Sequence, residues 1–409
     1  MDGVDGKWFE YIVVGCGGIG SGAVYWLSKR AGSKVLGLEQ FKLGHHNGGS
    51  QDHSRIIRLS YSDHQYTRLA TGAYSCWNEV EKESGLQLIY TTGGINFSRK
   101  GGIGEAIVNR YAESMEKCGI QYERLDGSRL NDRYPQFTAS DNYAAVYQEG
   151  SGLVDAALAN AVHIQLARKH GATILDETKF EGMKKTEDGT IQVLTNRGTF
   201  RCRRVIVAAG AWANEVLDSA GVTLPLTVTQ EQVVYLATPN MKEFTKSKFP
   251  IWIYHADNGL DIYGMPIHGN SGVKIGVDAG GQTVTAETRT FIPDQKRIKQ
   301  CLDFSKEHIP RSLGPILHAK TCLYTMPPDR HFIIDTCHRT NYPEVVMCCG
   351  AGHAFKFASV LGRILSELAI DGRTEYDISG FCLDRKALTD PNFKPLFQLG
   401  ITKLQEAKL

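Results

Sequence analysis

The chain has 409 residues, 42% of them hydrophobic and 22% charged, with a net charge of +2. That length accommodates two domains with cores of their own, and the near balance of charge leaves no basic excess of the kind a nucleic-acid partner requires. No run of 18 apolar residues occurs, and the start MDGVDGKWFE is acidic and polar where a signal peptide is basic and then apolar. A soluble intracellular protein without membrane association is therefore expected. The ten cysteines form no C-x-x-C pair and no His cluster lies at ligand spacing, so reduced thiols and no metal are expected.

The first informative stretch is YIVVGCGGIGSGAVYWLSKRAGSKVLGLEQ. A short β-branched run, Tyr11–Val14, has the length of a buried strand and stops at a glycine cluster. Gly15, Gly17 and Gly20 stand in G-x-G-x-x-G register: the first for a tight turn, the second for close approach of a pyrophosphate, the third for helix packing. The phosphates would take the free N–H groups at the start of the helical run 21–30, with Gly18 and Ile19 beside them. A second apolar run, Val35–Leu38, ends in Glu39 and Gln40, and Glu39 falls where a carboxylate takes the ribose hydroxyls of an ADP moiety. A dinucleotide-binding unit is predicted. Its acidic ribose partner repels a 2′-phosphate and disfavours NADP, which leaves FAD and NAD open.

Residues 45–58, HHNGGSQDHSRIIR, read as a loop running into an ordered segment, and Arg55 and Arg58, three apart, are expected on about one side of a helical turn. Residues 66–83 carry helical periodicity, and 91–97 and 144–147 read as strands. A turn at Glu149-Gly150-Ser151-Gly152 precedes a helix expected near Asp155. Runs 191–195 and 200–207 form a predicted hairpin feeding a strand that ends in Ala208-Ala209-Gly210-Ala211-Trp212. From 229 to 275 the apolar segments are short and alternating, as in an antiparallel sheet, and Lys274 sits within one of them. A buried strand at 345–349 leads through Gly350 and Gly352 into the helical run 357–370, a second turn-and-helix anion site.

Several of these stretches resemble one family. GGSQDHSRIIRLSY, the Ala209–Trp212 segment, Tyr263-Gly264-Met265-Pro266 with Gly272-Val273-Lys274-Ile275-Gly276, the run CLYTMPPDRHFIID from Cys322, and GAGHAFK from Gly350 are similar to monomeric sarcosine oxidase and the N-methyltryptophan, pipecolate and fructosyl amino acid oxidases. The resemblance implies an α/β protein: a Rossmann-type FAD-binding domain, discontinuous over 1–85, 150–222 and 325–386, and an α+β substrate domain with a mostly antiparallel sheet over 86–149 and 223–324, with 387–409 as a tail. It implies FAD as the cofactor, bound covalently by a thioether from Cys322, with Gly15, Gly17, Gly18, Ile19, Gly20, Glu39, Gln40, Ser50, Arg55, Gly210, Trp212, Gly350, Gly352 and Lys356 among its contacts. His318 or Lys320 would help Cys322 ionise. Arg58 and Lys356 would hold the substrate carboxylate, Tyr263 would line the pocket, His353 would stand by the ring, and Lys274 would favour oxygen reduction by stabilising developing negative charge.

The implied activity is oxidation of a secondary or N-alkyl amino acid to an imine, with O2 reduced to hydrogen peroxide, by a monomer. A fructosyl amino acid oxidase is the alternative within the class, and a flavin-binding protein without turnover the alternative outside it. An NAD-dependent dehydrogenase accounts for Gly15 to Glu39 but leaves Cys322 and the RIIR stretch idle. The chain departs from the family's pattern at Gln51 to His53, at Asp278 in place of a histidine, at Pro327 and Arg330 in place of threonine and glutamate, and at the Gly350 turn. The ending Ala407-Lys408-Leu409 is close to the S-K-L address, so residence in the peroxisome and an import receptor as partner are expected.

Overall fold

The computed structural model describes residues 6–269 and 272–396; the Ala407-Lys408-Leu409 ending lies outside them. The Tyr11–Val14 strand pairs in parallel with Val35–Leu38 on one side and Arg204–Val207 on the other. Extended outward, this sheet runs Ile333–Cys337, Tyr342–Cys349, Arg204–Val207, Tyr11–Val14, Val35–Leu38, Thr173–Leu175. Only the Ile333–Cys337 edge is antiparallel. Both faces are covered, which is why the Val35–Leu38 segment is buried throughout and its apolar run is continuous. The helices Gly18–Ala31 and Ala358–Asp371 pack across one face, so tightly that a Cβ at Gly362 would meet the Gly22 carbonyl carbon at 2.3 Å.

The second large sheet is nine-stranded. Gln282–Thr283, Thr227–Leu236, Val273–Asp278, Asp261–Met265, Ile251–His255, Gly94–Arg99, Tyr143–Gln148 and Glu123–Asp126 lie side by side, and Ile316–Met326 also pairs with Thr227–Leu236. Every pair is antiparallel except Ile251–His255 with Gly94–Arg99. Alternation then divides its residues between two faces. Val234, Leu236, Val273, Ile275 and Val277 point one way, into a core with Ile298, Cys301 and Phe304 of the helix Gln295–His308. The residues between them, Lys274, Gly276 and Asp278, point the other way. So do Tyr235 opposite Lys274, Tyr263 opposite Gly276, and Cys322 opposite Glu231. One sheet face thus gathers side chains that lie far apart in sequence.

Three local readings are corrected. The run 91–97 is two strands, Ile89–Thr91 and Gly94–Arg99, in different sheets; the break falls at Gly93, whose φ of +72° suits glycine. The run 200–207 likewise divides between Gly198–Cys202 of a small three-stranded sheet and Arg204–Val207 of the parallel one. Arg55 and Arg58 are not on a helical turn. Ser54–Ile57 is a strand antiparallel to Gly152–Asp155, since Ile56 and Ile57 find more burial against Leu153 and Val154 than a short helix at the surface would give them.

Candidate active site

A cavity of about 590 Å³ opens between the two sheets. The turn after Tyr11–Val14 forms its floor. Gly15 has φ of +93°, and a Cβ there would meet the Ala208 carbonyl oxygen at 2.6 Å; a Cβ at Gly17 would meet Ser50 Oγ at 2.8 Å. No side chain caps the helix that begins at Gly18 beyond this turn; the Gly18 N–H is taken by Ser50 Oγ at 2.8 Å. The N–H groups of Ile19 and Gly20 have no partner one turn back in the helix, which leaves them for an anion, while Ser21 donates to the Gly17 carbonyl at 2.8 Å. Glu39 is nearly fully buried and is fixed by the N–H groups of Cys16 and Phe41, each at 3.0 Å from a different carboxylate oxygen. The His45 ring lies 3.3 Å from one of those oxygens, and Glu39 lines the cavity together with Gln40 and Trp212. An uncapped helix start, a turn closed to side chains and an acid at the end of the next strand form a cradle that fits FAD.

The other end of the cavity is crowded with cations. Arg58 lies against the rings of Tyr61 and Tyr111, 4.7 and 5.2 Å from their centroids, and donates to Asn96 Oδ1 at 3.1 Å. Its buried Nε has no hydrogen-bond partner among the described residues. Burial opposes its charge, yet the phenols of Tyr111 and Tyr61 and the Asp278 carboxylate hold its pKa above the usual value. Lys356 donates to the His353 carbonyl oxygen at 2.9 Å. Burial, then the nearby Arg58, brings its pKa down to about 7, with Asp278 working against the fall. The His353 ring, pushed to neutrality by burial and by Lys356 and Arg330, keeps one nitrogen 3.1 Å from the Arg330 carbonyl oxygen.

Lys274 is nearly inaccessible and donates to Asp52 Oδ2 and to the Ser54 carbonyl oxygen, both at 2.6 Å. Asp52 also pairs with Arg55 and accepts from the Tyr235 hydroxyl. Burial alone would raise the Asp52 carboxyl; Lys274 and Arg55 override it and keep Asp52 ionised, while burial lowers Lys274. Removing one partner of such a buried pair leaves the other charge uncompensated. Asp52→Asn is therefore expected to cost about 3–5 kcal/mol of stability, seen as a lower denaturant midpoint. An unchanged midpoint would show the pair to be energetically idle.

Cys322 is a free thiol in the wall of the cavity. Burial raises its pKa to about 11, and Arg55 is the foremost cation opposing that rise, with Lys274 behind it. Of the two expected helpers, His318 stacks on Tyr235, while Lys320 is close enough to feel the charge of an ionised Cys322. The loop 48–50 abuts this strand: Leu323 donates to the Gly48 carbonyl, and Ser50 reaches Gly18 on the other side.

Of the residues singled out in the sequence, the cavity is lined by Gly15, Gly17, Gly18, Ile19, Glu39, Gln40, Ser50, Arg55, Arg58, Gly210, Trp212, Tyr263, Lys274, Cys322, Gly350, Gly352, His353 and Lys356. Gly20 does not line it. A Cβ there would fall 1.8 Å from the Gly15 carbonyl oxygen, so the missing side chain serves helix packing. The sequence reading missed four residues. Asp52 and Tyr235 fix Lys274, Asn96 holds Arg58, and Arg289 ties the loop to the Cys322 strand through the Asn47 carbonyl at 2.6 Å and Thr321 Oγ1 at 2.8 Å. No local pattern gives the role of any of them, because each acts on a residue distant in sequence.

A Rossmann-type turn feeding a cavity that a second, antiparallel sheet closes defines a flavoprotein oxidoreductase. Comparison with known proteins agrees: the chain belongs to the FAD dependent oxidoreductase (DAO) family, which matches residues 10–368. It is 33% identical over 387 residues to monomeric sarcosine oxidase from Bacillus sp. (strain NS-129), covering 93% of this chain and 97% of that protein. It is 29% identical to N-methyl-L-tryptophan oxidase from Escherichia coli O9:H4 (strain HS), covering 92% and 99%. Among solved structures, NikD, an unusual amino acid oxidase essential for nikkomycin biosynthesis, superposes with a TM-score of 0.81 at 25% identity, over 92% of this chain and 97% of that one.

Proposed function

We propose that the protein is an FAD-dependent oxidase of secondary or N-alkyl amino acids, acting as a monomer on the CH–NH bond and yielding an imine and hydrogen peroxide. The observation that carries this reading is the meeting, in one cavity, of the dinucleotide cradle with Arg58 and Lys356, whose hydrogen bonds go to Asn96 and to a backbone carbonyl and leave both cations for an incoming carboxylate. When bound, the flavin takes a hydride from the carbon next to nitrogen and gives the electrons to oxygen.

The chain supplies position and charge. Gly15, Gly17 and Glu39 hold the ADP portion of the cofactor. Arg58 and Lys356 bind the substrate carboxylate, and their charge disfavours a further cation on the substrate, which enlarges the fraction of neutral, oxidisable amine. Tyr263 lines the pocket beside them. Lys274, fixed by Asp52, holds a positive charge where oxygen gains electrons. Cys322 would hold the ring through Sγ at its 8α-methyl carbon, the S–H and one methyl C–H giving way to an S–C bond while the two electrons pass to the flavin itself and from it to oxygen; its place in the cavity wall beside Arg55 and its likeness to the family's cysteine support this reading. Peroxisomal residence through Ala407-Lys408-Leu409 belongs to the same reading and rests on likeness to the S-K-L address alone.

Sarcosine, pipecolate and a fructosyl amino acid, each supplied with peroxide detection, test the activity. Peroxide from one of the first two is expected; a yellow protein that no secondary amine bleaches in the absence of oxygen overturns the reading. Cys322→Ser is expected to release its yellow colour on acid precipitation, while the natural protein keeps it. Retained colour in the variant would remove the covalent assignment.

A further inference from the structure

Asp278 and Arg330, separate departures from the family's pattern in sequence, form one feature in three dimensions. Nη1 of Arg330 lies 3.3 Å from Asp278 Oδ2, and Nη2 lies 3.3 and 3.4 Å from the two carboxylate oxygens. Arg330 reaches this position from a left-handed backbone, φ +57°. Asp278 shares its sheet face with Lys274 and Gly276, lines the cavity, and leaves 28% of its side chain accessible.

The contacts from Arg330 are long for charge-assisted hydrogen bonds, so the carboxylate keeps lone pairs free toward the cavity. Burial favours its neutral form, but Arg330, with Lys356 behind it, outweighs that and keeps it ionised. A carboxylate so held is a poor proton acceptor, which argues against a role as the base that deprotonates the substrate amine. What remains is a fixed negative charge in a wall otherwise furnished by Arg58, Lys356 and Tyr263. An apolar substrate chain placed against it would strip water from an ionised group and return nothing, whereas a cation would replace that water with an ion pair.

Resting on the oxidase reading above, we propose that Asp278 determines specificity by selecting N-alkyl amino acids whose side chain carries a second, cationic group. The substrate's carboxylate goes to Arg58 and Lys356 and its distal cation to Asp278.

The test compares Nα-methyl-lysine with N-methyl-2-aminoheptanoate, whose side chain has the same number of heavy atoms and ends in a methyl group in place of the ammonium, by anaerobic flavin reduction on the holoenzyme. The natural protein is expected to favour the lysine compound by about tenfold or more in Kd, the scale of one desolvated ion pair, with similar limiting reduction rates. Asp278→Asn is expected to abolish that preference by weakening the lysine compound alone. Arg330→Gln, which frees the carboxylate from its competitor, is expected to enlarge it, and serves if the first variant does not fold. Equal affinity for both compounds in the natural protein, or an equal loss for both in Asp278→Asn, overturns the inference and leaves Asp278 as compensation for neighbouring cations. If no secondary amino acid at all reduces the flavin, the oxidase reading itself has failed, a result distinct from loss of selectivity.

Discussion

Lys274→Met is expected to slow reoxidation of the reduced enzyme by oxygen by about 10²–10³-fold, the scale on which one preorganised charge stabilises developing negative charge, while reduction by substrate changes far less. The variant keeps the length of the side chain and removes only the ammonium, in a place where that ammonium is fully enclosed and pinned by Asp52 and the Ser54 carbonyl. A pH profile gives a second view. Burial brings the Lys274 pKa down to about 8, so the group is charged below that value and neutral above it. Reoxidation should therefore lose its acceleration as pH rises through about 8, and the methionine variant should be flat there. Anaerobic stopped flow followed by mixing with oxygen separates the two half-reactions. Equal slowing of both would remove the role in oxygen reduction.

The second large effect is at Arg58. Arg58→Met keeps an unbranched chain between Tyr61 and Tyr111 but removes the fork that meets a carboxylate. Truncating one side of a buried charge pair costs about 2–5 kcal/mol, so substrate affinity should fall by about 30-fold to several thousand-fold, with the limiting rate of reduction less affected. Lys356 adds a signature that a purely structural change would not produce. Burial, then Arg58, keeps its pKa near 7 in the ligand-free cavity. Affinity for the carboxylate should accordingly decline as pH rises above about 7, because Lys356 must then take up a proton to pair with it. Taking away Arg58 removes a neighbouring cation, so the inflection should move to higher pH in the variant. An inflection that stays in place, with unaltered affinity, would dissociate both residues from carboxylate binding.

What the sequence discloses follows from how far apart the interacting residues lie. The strand, turn, helix and second strand that end at Glu39 form one contiguous unit, so periodicity and three glycines suffice to see it. The RIIR stretch was readable as important but not as a strand, because its pairing with Gly152–Asp155 is supplied by a distant segment. Asp52 stood out only as part of the altered loop 51–53 beside Arg55; what it does depends on Tyr235 and Lys274, 183 and 222 residues away. Asp278 and Arg330 were each visible as oddities, yet nothing in a linear text says that two oddities 52 residues apart touch. The face-sharing of Lys274, Tyr263 and Cys322 likewise depends on strand register, which a sheet of nonconsecutive strands settles only when folded.

The close crossing of Gly22 with Gly362 bears on biogenesis. The helix Gly18–Ala31 is synthesised well before its packing partner Ala358–Asp371, and the parallel sheet beneath them waits on a strand at 342–349. Such long-range closure is slow to nucleate, so the emerging polypeptide must carry an unfinished apolar surface through most of translation. A chain that stops ahead of residue 358 is therefore expected to leave that surface uncovered and to be cut readily by proteases, where the whole chain is resistant.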